Sequence, residues 1–231
     1  MDILKSGRLN YILGKINQCN CVADIGCDHG LLSVALIESG RSEYVIASDI
    51  SKDSLEKAYR LVLEKGLEGK VDCVLSDGLA HLTDRHTDVI VIAGMGGHLI
   101  SEIISKESSV AEGPELMLCP HSNADELRGF LYENGFMIKC DKTIREDRRF
   151  YPVLISEYTG IHKKISYDDA VLGINEALVI DDEYRDFLVW FCDLQSEHIS
   201  EIHASGSDRA AEVLKEKEML LDAARRRLNC L

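Results

Sequence analysis

Hydrophobic patterning divides the chain into two regimes near Gly160. Before it, short apolar runs alternate with amphipathic stretches; beyond it, a helical period takes over and the β-branched runs disappear. Residues 21–25, 44–48, 71–75, 88–93 and 115–119 read as strands, and 136–140 and 150–158 as the last two. Between them, 31–38, 51–65 and 123–134 read as helices; Ser51 can cap the second, and Gly40, Gly66 and Gly135 stop all three. The run ending at Ala93 is nearly all β-branched, as a strand buried on both faces should be. Such alternation predicts an α/β fold with a doubly wound, mostly parallel sheet and right-handed crossovers. The last two strands are joined without a full helix, so they are expected to form an antiparallel hairpin at one edge.

In the second regime Tyr184, Phe187, Phe191, Leu194 and His198 recur at spacings of 3-4-3-4, as do Leu214, Lys217, Leu221, Ala224 and Leu228. Ser205-Gly206-Ser207-Asp208 breaks the pattern between them, with Asp208 able to cap the second helix. Two helices, each with a seam, predict an antiparallel coiled-coil hairpin. It serves either as a packing or dimerisation element or as a substrate-gripping arm, and the sequence alone favours the first. Residues 171–182 are expected to form a shorter joining helix. The division is therefore residues 1–160 and residues 161–231.

Composition excludes several classes. The 231 residues are 45% hydrophobic and 29% charged, an ordinary globular balance. No apolar run approaches membrane-spanning length, and polar residues interrupt the N-terminus at once, unlike a secretory signal. A cytoplasmic protein with no membrane association and no obligatory protein partner is expected. The eight cysteines form no Cys-x-x-Cys pair, so reduced structural thiols are expected and no metal site. The net charge of −14 argues against a nucleic-acid binder in bulk, but local clustering decides. Residues 139–149 hold five basic groups against three acidic ones, and Arg225-Arg226-Arg227 form a second cluster. Either is a solvated surface or a phosphate contact; charge alone favours the surface.

Ligands of an open parallel sheet bind beyond the carboxyl ends of its strands. Those positions carry Asp24-Ile25-Gly26-Cys27-Asp28-His29-Gly30, Asp49-Ile50, Asp77-Gly78 and Ala93-Gly94-Met95-Gly96-Gly97. The first loop lacks the Gly-x-Gly-x-x-Gly pattern that brings a diphosphate against backbone, and Asp28 stands where that anion would lie. A ligand with a cationic end, an ammonium or a sulfonium, is favoured; S-adenosylmethionine carries both. Asp49 is placed to accept from ribose hydroxyls, or else to cap a helix. Asp77 is placed to accept from an adenine amine, or else to make an Asp-Gly turn. The glycines around Met95 let backbone approach a ligand and expose amides at a helix start; Met95 either packs or lies against a substrate base.

The chain resembles the bacterial TrmK family, the tRNA (adenine(22)-N1)-methyltransferases. The resemblance rests on Ser6-Gly7-Arg8-Leu9, the Asp24–His29 loop, Asp77-Gly78, the Ala93–Gly97 loop, Leu131 with Asn134-Gly135, and Glu146-Asp147 with Phe150-Tyr151. It departs at Cys119-Pro120-His121, where the family often has Gln-Pro-Asn, and at Arg148-Arg149, where the family has Gly-Lys. It implies a Rossmann-like class I methyltransferase domain plus the family's C-terminal coiled coil. The implied donor is S-adenosylmethionine, leaving S-adenosylhomocysteine, and the acceptor is N1 of an adenine in the tRNA D-arm. Within that picture Asp24, Gly26, Cys27, Asp28, His29, Gly30, Asp49, Ile50, Asp77, Gly78, Ala93, Gly94, Met95 and Gly96 are expected at the donor. Asp28 either stabilises the charge developing on the base or binds the donor's ammonium, with His29 orienting the loop or the methionine moiety. Arg8, Lys142, Arg145, Arg148 and Arg149 are the candidate phosphate contacts. Tyr151 or Phe150 stacks on the extruded base or belongs to the sheet core. The rival readings are a methyltransferase of another RNA or a small molecule, and a non-catalytic donor-binding scaffold.

Overall fold

In a computed structural model, residues 4–205 and 210–231 are described. The chain begins with α1 (Gly7–Lys15), and then strand and helix alternate: β1 (Cys19–Ile25), α2 (Leu31–Glu38), β2 (Ser42–Asp49), α3 (Lys52–Glu64) and β3 (Val71–Leu75). A single 3-10 turn at Ala80–Leu82 leads to β4 (Val89–Ala93), α4 (Gly97–Lys106), α5 (Ser108–Ala111), β5 (Glu115–Cys119) and α6 (Ala124–Glu133). The long strands β6 (Phe136–Glu146) and β7 (Arg149–Tyr158) come next, then α7 (Tyr167–Leu172), α8 (Asp182–Ser205) and α9 (Ala210–Asn229).

The seven strands make one sheet in the order β3-β2-β1-β4-β5-β7-β6. β1 to β5 pair in parallel, and β7 lies antiparallel to both β5 and β6. This is the Rossmann-like class I methyltransferase sheet, with its strand order reversing between β1 and β4. Strand alternation feeds two apolar layers. Val22, Val89 and Val91 point to the layer beneath α1 to α3, while Ala23, Ile90 and Ile92 point to the layer beneath α4 to α6. Each such side chain is almost fully buried, and each valine or isoleucine contributes about 1.5–3 kcal/mol of transfer free energy.

Two expectations need correction. The stretch 141–149, expected to join the last two strands, is mostly strand: it supplies the second half of β6 and a tight turn into β7, with Asp147 left-handed at φ 57. Its charged side chains hide the strand pattern because several are buried with distant partners. The joining helix expected at 171–182 lies earlier, at Tyr167–Leu172, because Ser166 caps it and Gly173 ends it at φ 101. Residues 174–180 instead run along β6, where Asp141 N–H donates to Ala177 O and Val179 N–H donates to Asp141 O. The helix α1 has no counterpart among the elements expected from the sequence. Of the break expected at 205–208, Ser205 is the last residue of α8, and 206–208 lie outside the described residues. No helix among the described residues is long and apolar enough to cross a membrane.

Candidate functional site

A cleft of about 490 Å³ opens at the carboxyl ends of β1, β2 and β4, where the strand order reverses. That volume suits a small-molecule ligand. Four carboxylates line it, those of Asp24, Asp28, Asp49 and Asp77, together with Ile25, Leu31, Leu32, Leu99 and Ile103 as an apolar wall. Arg8 is the one lysine or arginine in the lining, and His29 the one histidine.

The loop after β1 is shaped by backbone that only certain residues tolerate. Gly26 and Gly30 are left-handed, and so is Asp28 at φ 48, a conformation costing an ordinary residue roughly 1–2 kcal/mol. A Cβ on Gly26 would sit 2.2 Å from Met95 Cε, so the methionine side chain lies directly over the glycine. The loop is anchored to β2: Gly26 and Cys27 N–H both donate to Ser48 O, and Asp28 N–H donates to Asp49 Oδ2 at 3.1 Å. Asp49 Oδ1 meanwhile accepts from Ser51 N–H at 2.8 Å, while Ser51 itself caps α3. Asp49 thus organises two loops and still lines the cleft.

The carboxylates differ in environment. Asp24 is 5% exposed and accepts from Ser33 Oγ–H at 2.6 Å. Burial, reinforced by the charge of Asp49, raises its pKa to about 6 against the pull of the Ser33 hydrogen bonds. Asp28 is largely exposed at the cleft, with His29 Nε2 3.7 Å from its Oδ1. Asp77 is exposed as well, 3.7 Å from Lys106 Nζ. The thiols of Cys27 and Cys119 also border the cleft; burial raises both, Cys119 to about 11, so they stand as neutral packing groups.

The loop after β4 is braced against the loop after β5. Gly94 N–H donates to Cys119 O, His121 N–H donates to Met95 O at 2.9 Å, and His121 Nδ1 donates to Gly94 O at 2.8 Å. Gly97 admits no side chain, since a Cβ would lie 2.0 Å from Asn123 O. His121 thus ties the two loops together.

Of the residues expected at a donor, Asp24, Gly26, Cys27, Asp28, His29, Asp49, Ile50, Asp77, Gly78, Ala93, Gly94 and Met95 line the cleft. Gly30 and Gly96 do not: they cap α2 and α4 from outside the lining. Leu31, Leu32, Ser76, Leu99 and Ile103 are lining residues that the sequence pattern does not single out.

The candidate phosphate contacts scatter. Arg148 and Arg149 are exposed at the hairpin tip and make no ion pair among the described residues. Arg145 is exposed but paired with Asp186 at 2.9 Å. Lys142 is removed from the set: it is 4% exposed and bound to Asp181 and Glu183, so no phosphate reaches it. Arg8 also faces the cleft rather than an outer surface, bonded to Glu146 with its guanidinium 4.1 Å from the Tyr151 ring centroid. Tyr151 lies outside the cleft lining, and Phe150 packs against Phe187 and Trp190. No cluster of three or more metal-ligating side chains occurs among the described residues.

Comparison with known proteins extends these observations. A family model described as a methyltransferase domain matches residues 5–154. The tRNA (adenine(22)-N(1))-methyltransferase of Bacillus subtilis (strain 168) is 32% identical over 159 residues, 68% of this chain and 67% of that protein. A crystal structure from Streptococcus pneumoniae, provisionally described as a tRNA (m1A22) methyltransferase, superposes with a TM-score of 0.87 at 25% identity, covering 97% of this chain and 100% of the other. The same protein in complex with S-adenosyl-L-methionine gives a TM-score of 0.77 at 27% identity, covering 97% and 100%.

Proposed function

The chain belongs to the TrmK family of methyltransferases, and from that premise we propose that it transfers the methyl group of S-adenosylmethionine to N1 of adenine 22 in tRNA. The observation that carries the reading is the cleft itself: four carboxylates and a left-handed, glycine-containing loop at the switch point of the sheet. Such a lining repels a diphosphate and suits a ligand with a sulfonium and an ammonium. Bound there, S-adenosylmethionine supplies an electrophilic methyl group.

The residues divide the work by position. Asp49, at the end of β2, accepts from the ribose hydroxyls, and Asp77, at the loop after β3, accepts from the adenine amine. The buried Asp24 and the loop at 26–29 receive the cationic tail. N1 of adenine carries no proton, so its attack needs no general base. The chain must instead hold the two reactants collinear and offset the positive charge that grows on the acceptor ring. Asp28 is exposed at the cleft, and we assign it that electrostatic role, with His29 orienting it. Because N1 lies on the pairing edge, the adenine must leave its helix to react. Arg148 and Arg149 at the hairpin tip meet tRNA phosphates. Residues 1–160 act as the catalytic unit and residues 161–231 as an arm that grips the RNA, in the cytoplasm.

The test is to incubate unmodified tRNA with the protein and isotope-labelled donor, then map the labelled nucleoside by mass spectrometry. Label at N1 of adenine 22 is expected. Label confined to free adenosine, or none on any RNA, overturns the proposal.

A further inference from the structure

We propose that Arg8 receives the carboxylate of the donor's amino-acid tail, and that Glu146, at the far end of β6, is a positioning residue that holds Arg8 in the cleft. The inference rests on reading the cleft as the donor site and adds to it the recognition of one charge. The tail of the donor is a zwitterion beside a sulfonium. Four carboxylates answer its two positive centres, but they repel its single negative one. Arg8 is the only lysine or arginine in the lining, and His29 already stands beside Asp28.

The geometry around Arg8 leaves a definite part of it for a ligand. Its Nε donates to Glu146 Oε2, and one face of the guanidinium covers the Tyr151 ring. The same Glu146 oxygen accepts from Ser6 Oγ–H at 3.3 Å, and Ser6 caps the helix that carries Arg8. One carboxylate thereby fixes both the start of α1 and the side chain in its first turn. The terminal nitrogens of Arg8 have no oxygen partner among the described residues; its other polar neighbours are the buried thiol of Cys119, within hydrogen-bonding reach, and Tyr151. A guanidinium with its Nε engaged and its terminal fork met by nothing stronger than a thiol is arranged for a carboxylate. Burial opposes its charge, but the bond to Glu146 and the neighbouring Cys119 and Tyr151 together raise its pKa, so the group stays cationic. Arg8 side-chain exposure is 23%, too enclosed for a backbone phosphate on an RNA surface.

Isothermal titration with three ligands tests this. They are S-adenosylmethionine, its decarboxylated form, which keeps both positive charges, and 5′-methylthioadenosine, which lacks the whole tail. Wild-type protein is expected to prefer the carboxylated donor over the decarboxylated one by about tenfold or more, the worth of a charged hydrogen-bonded pair. Arg8→Met is expected to abolish that preference while binding 5′-methylthioadenosine within about twofold of wild type. Glu146→Ala should lose part of the preference, and Glu146→Gln, whose carbonyl still accepts from Nε, should recover most of it. An undiminished preference in Arg8→Met overturns the role of Arg8, and an undiminished preference in Glu146→Ala overturns that of Glu146. Should Arg8→Met not fold, Arg8→Lys serves. Its single ammonium keeps only part of the preference; full retention counts against the fork. Wild-type protein that binds both donors equally also sinks the inference. Wild-type protein that binds none of the three sinks instead the reading of the cleft.

Discussion

The sheet unit and the C-terminal helices are held together by different physics. The sheet is sandwiched by two apolar layers into which each central strand sends alternate side chains, so its stability comes mainly from area removed from water. The helical part has a small apolar cluster of its own, around Leu172, Tyr184, Leu188, Phe191, Leu220 and Ala224. Where it meets the sheet, Phe150 packs on Phe187 and Trp190, and the rest of the seam is polar. Arg128 bonds both oxygens of Asp141 at 2.7 and 2.9 Å, with side chains 5% and 0% exposed. Asp141 also accepts from Ile174 N–H, and Arg128 donates to Ala170 O. Lys142 reaches Asp181 and Glu183, while within the helical part Arg227 of α9 reaches Asp169 and Gly173 O. Apolar layers tolerate sliding; directional bonds do not. The seam therefore sets the angle of the helices more than it adds to net stability, since a buried ion pair roughly breaks even against apolar packing.

That contrast is broken most sharply at Asp141. Asp141→Ala strands a buried guanidinium and is expected to cost about 3–5 kcal/mol in denaturant unfolding, whereas Arg128→Met with Asp141→Leu should recover most of it. A single-variant loss below about 1 kcal/mol would show that the seam does not depend on this pair.

The sheet unit carries one buried charge of its own without an ionic partner, Asp24. Its folded pKa, raised to about 6, means that the native state holds a proton that the unfolded chain releases from about pH 4 upward. Wild-type stability therefore falls as pH rises from about 4 to 6. Asp24→Asn should remove that fall and be more stable at pH 7.5 by on the order of 1–3 kcal/mol, while binding the donor more weakly. Parallel stability-versus-pH curves for the two proteins would refute this.

A smaller effect is expected at the hairpin tip. Arg148→Glu with Arg149→Glu should leave stability within about 0.5 kcal/mol, as surface substitutions do, and flatten the salt dependence of tRNA binding by about one slope unit per lost phosphate contact. An unchanged slope removes both arginines from the interface. Smallest of all, Lys139→Met breaks exposed ion pairs with Glu115 and Glu157 and should cost at most about 1 kcal/mol, setting the scale against which Asp141 is judged.

Legibility in the sequence divides along the same line. The strands Val71–Leu75 and Glu115–Cys119 and the helix Leu31–Glu38 appear where apolar runs and flanking glycines put them. The cleft is legible because acids and glycines collect at strand ends, positions that topology brings together whatever the details. The second half of β6 is not, because Asp141 and Lys142 read as surface charges until their partners arrive from residues 128, 181 and 183. Arg8 reads as a phosphate contact for the same reason: Glu146 lies 138 residues away. The helix α1 does leave a trace, Ser6 as cap with Leu9, Ile12, Leu13 and Ile16 at helical spacing, but it is only 9 residues long and opens on Gly7.

The bond between Arg8 and Glu146 also bears on biosynthesis. Domains fold as they leave the ribosome, N-terminal parts first. The nascent chain exposes its first helix early, yet the strand that pins it emerges only after five others have been made. Until then the basic wall of the cleft is unpinned, so a ribosome-bound fragment ending before residue 146 should hold the four aspartates with Arg8 present but not fixed beside them.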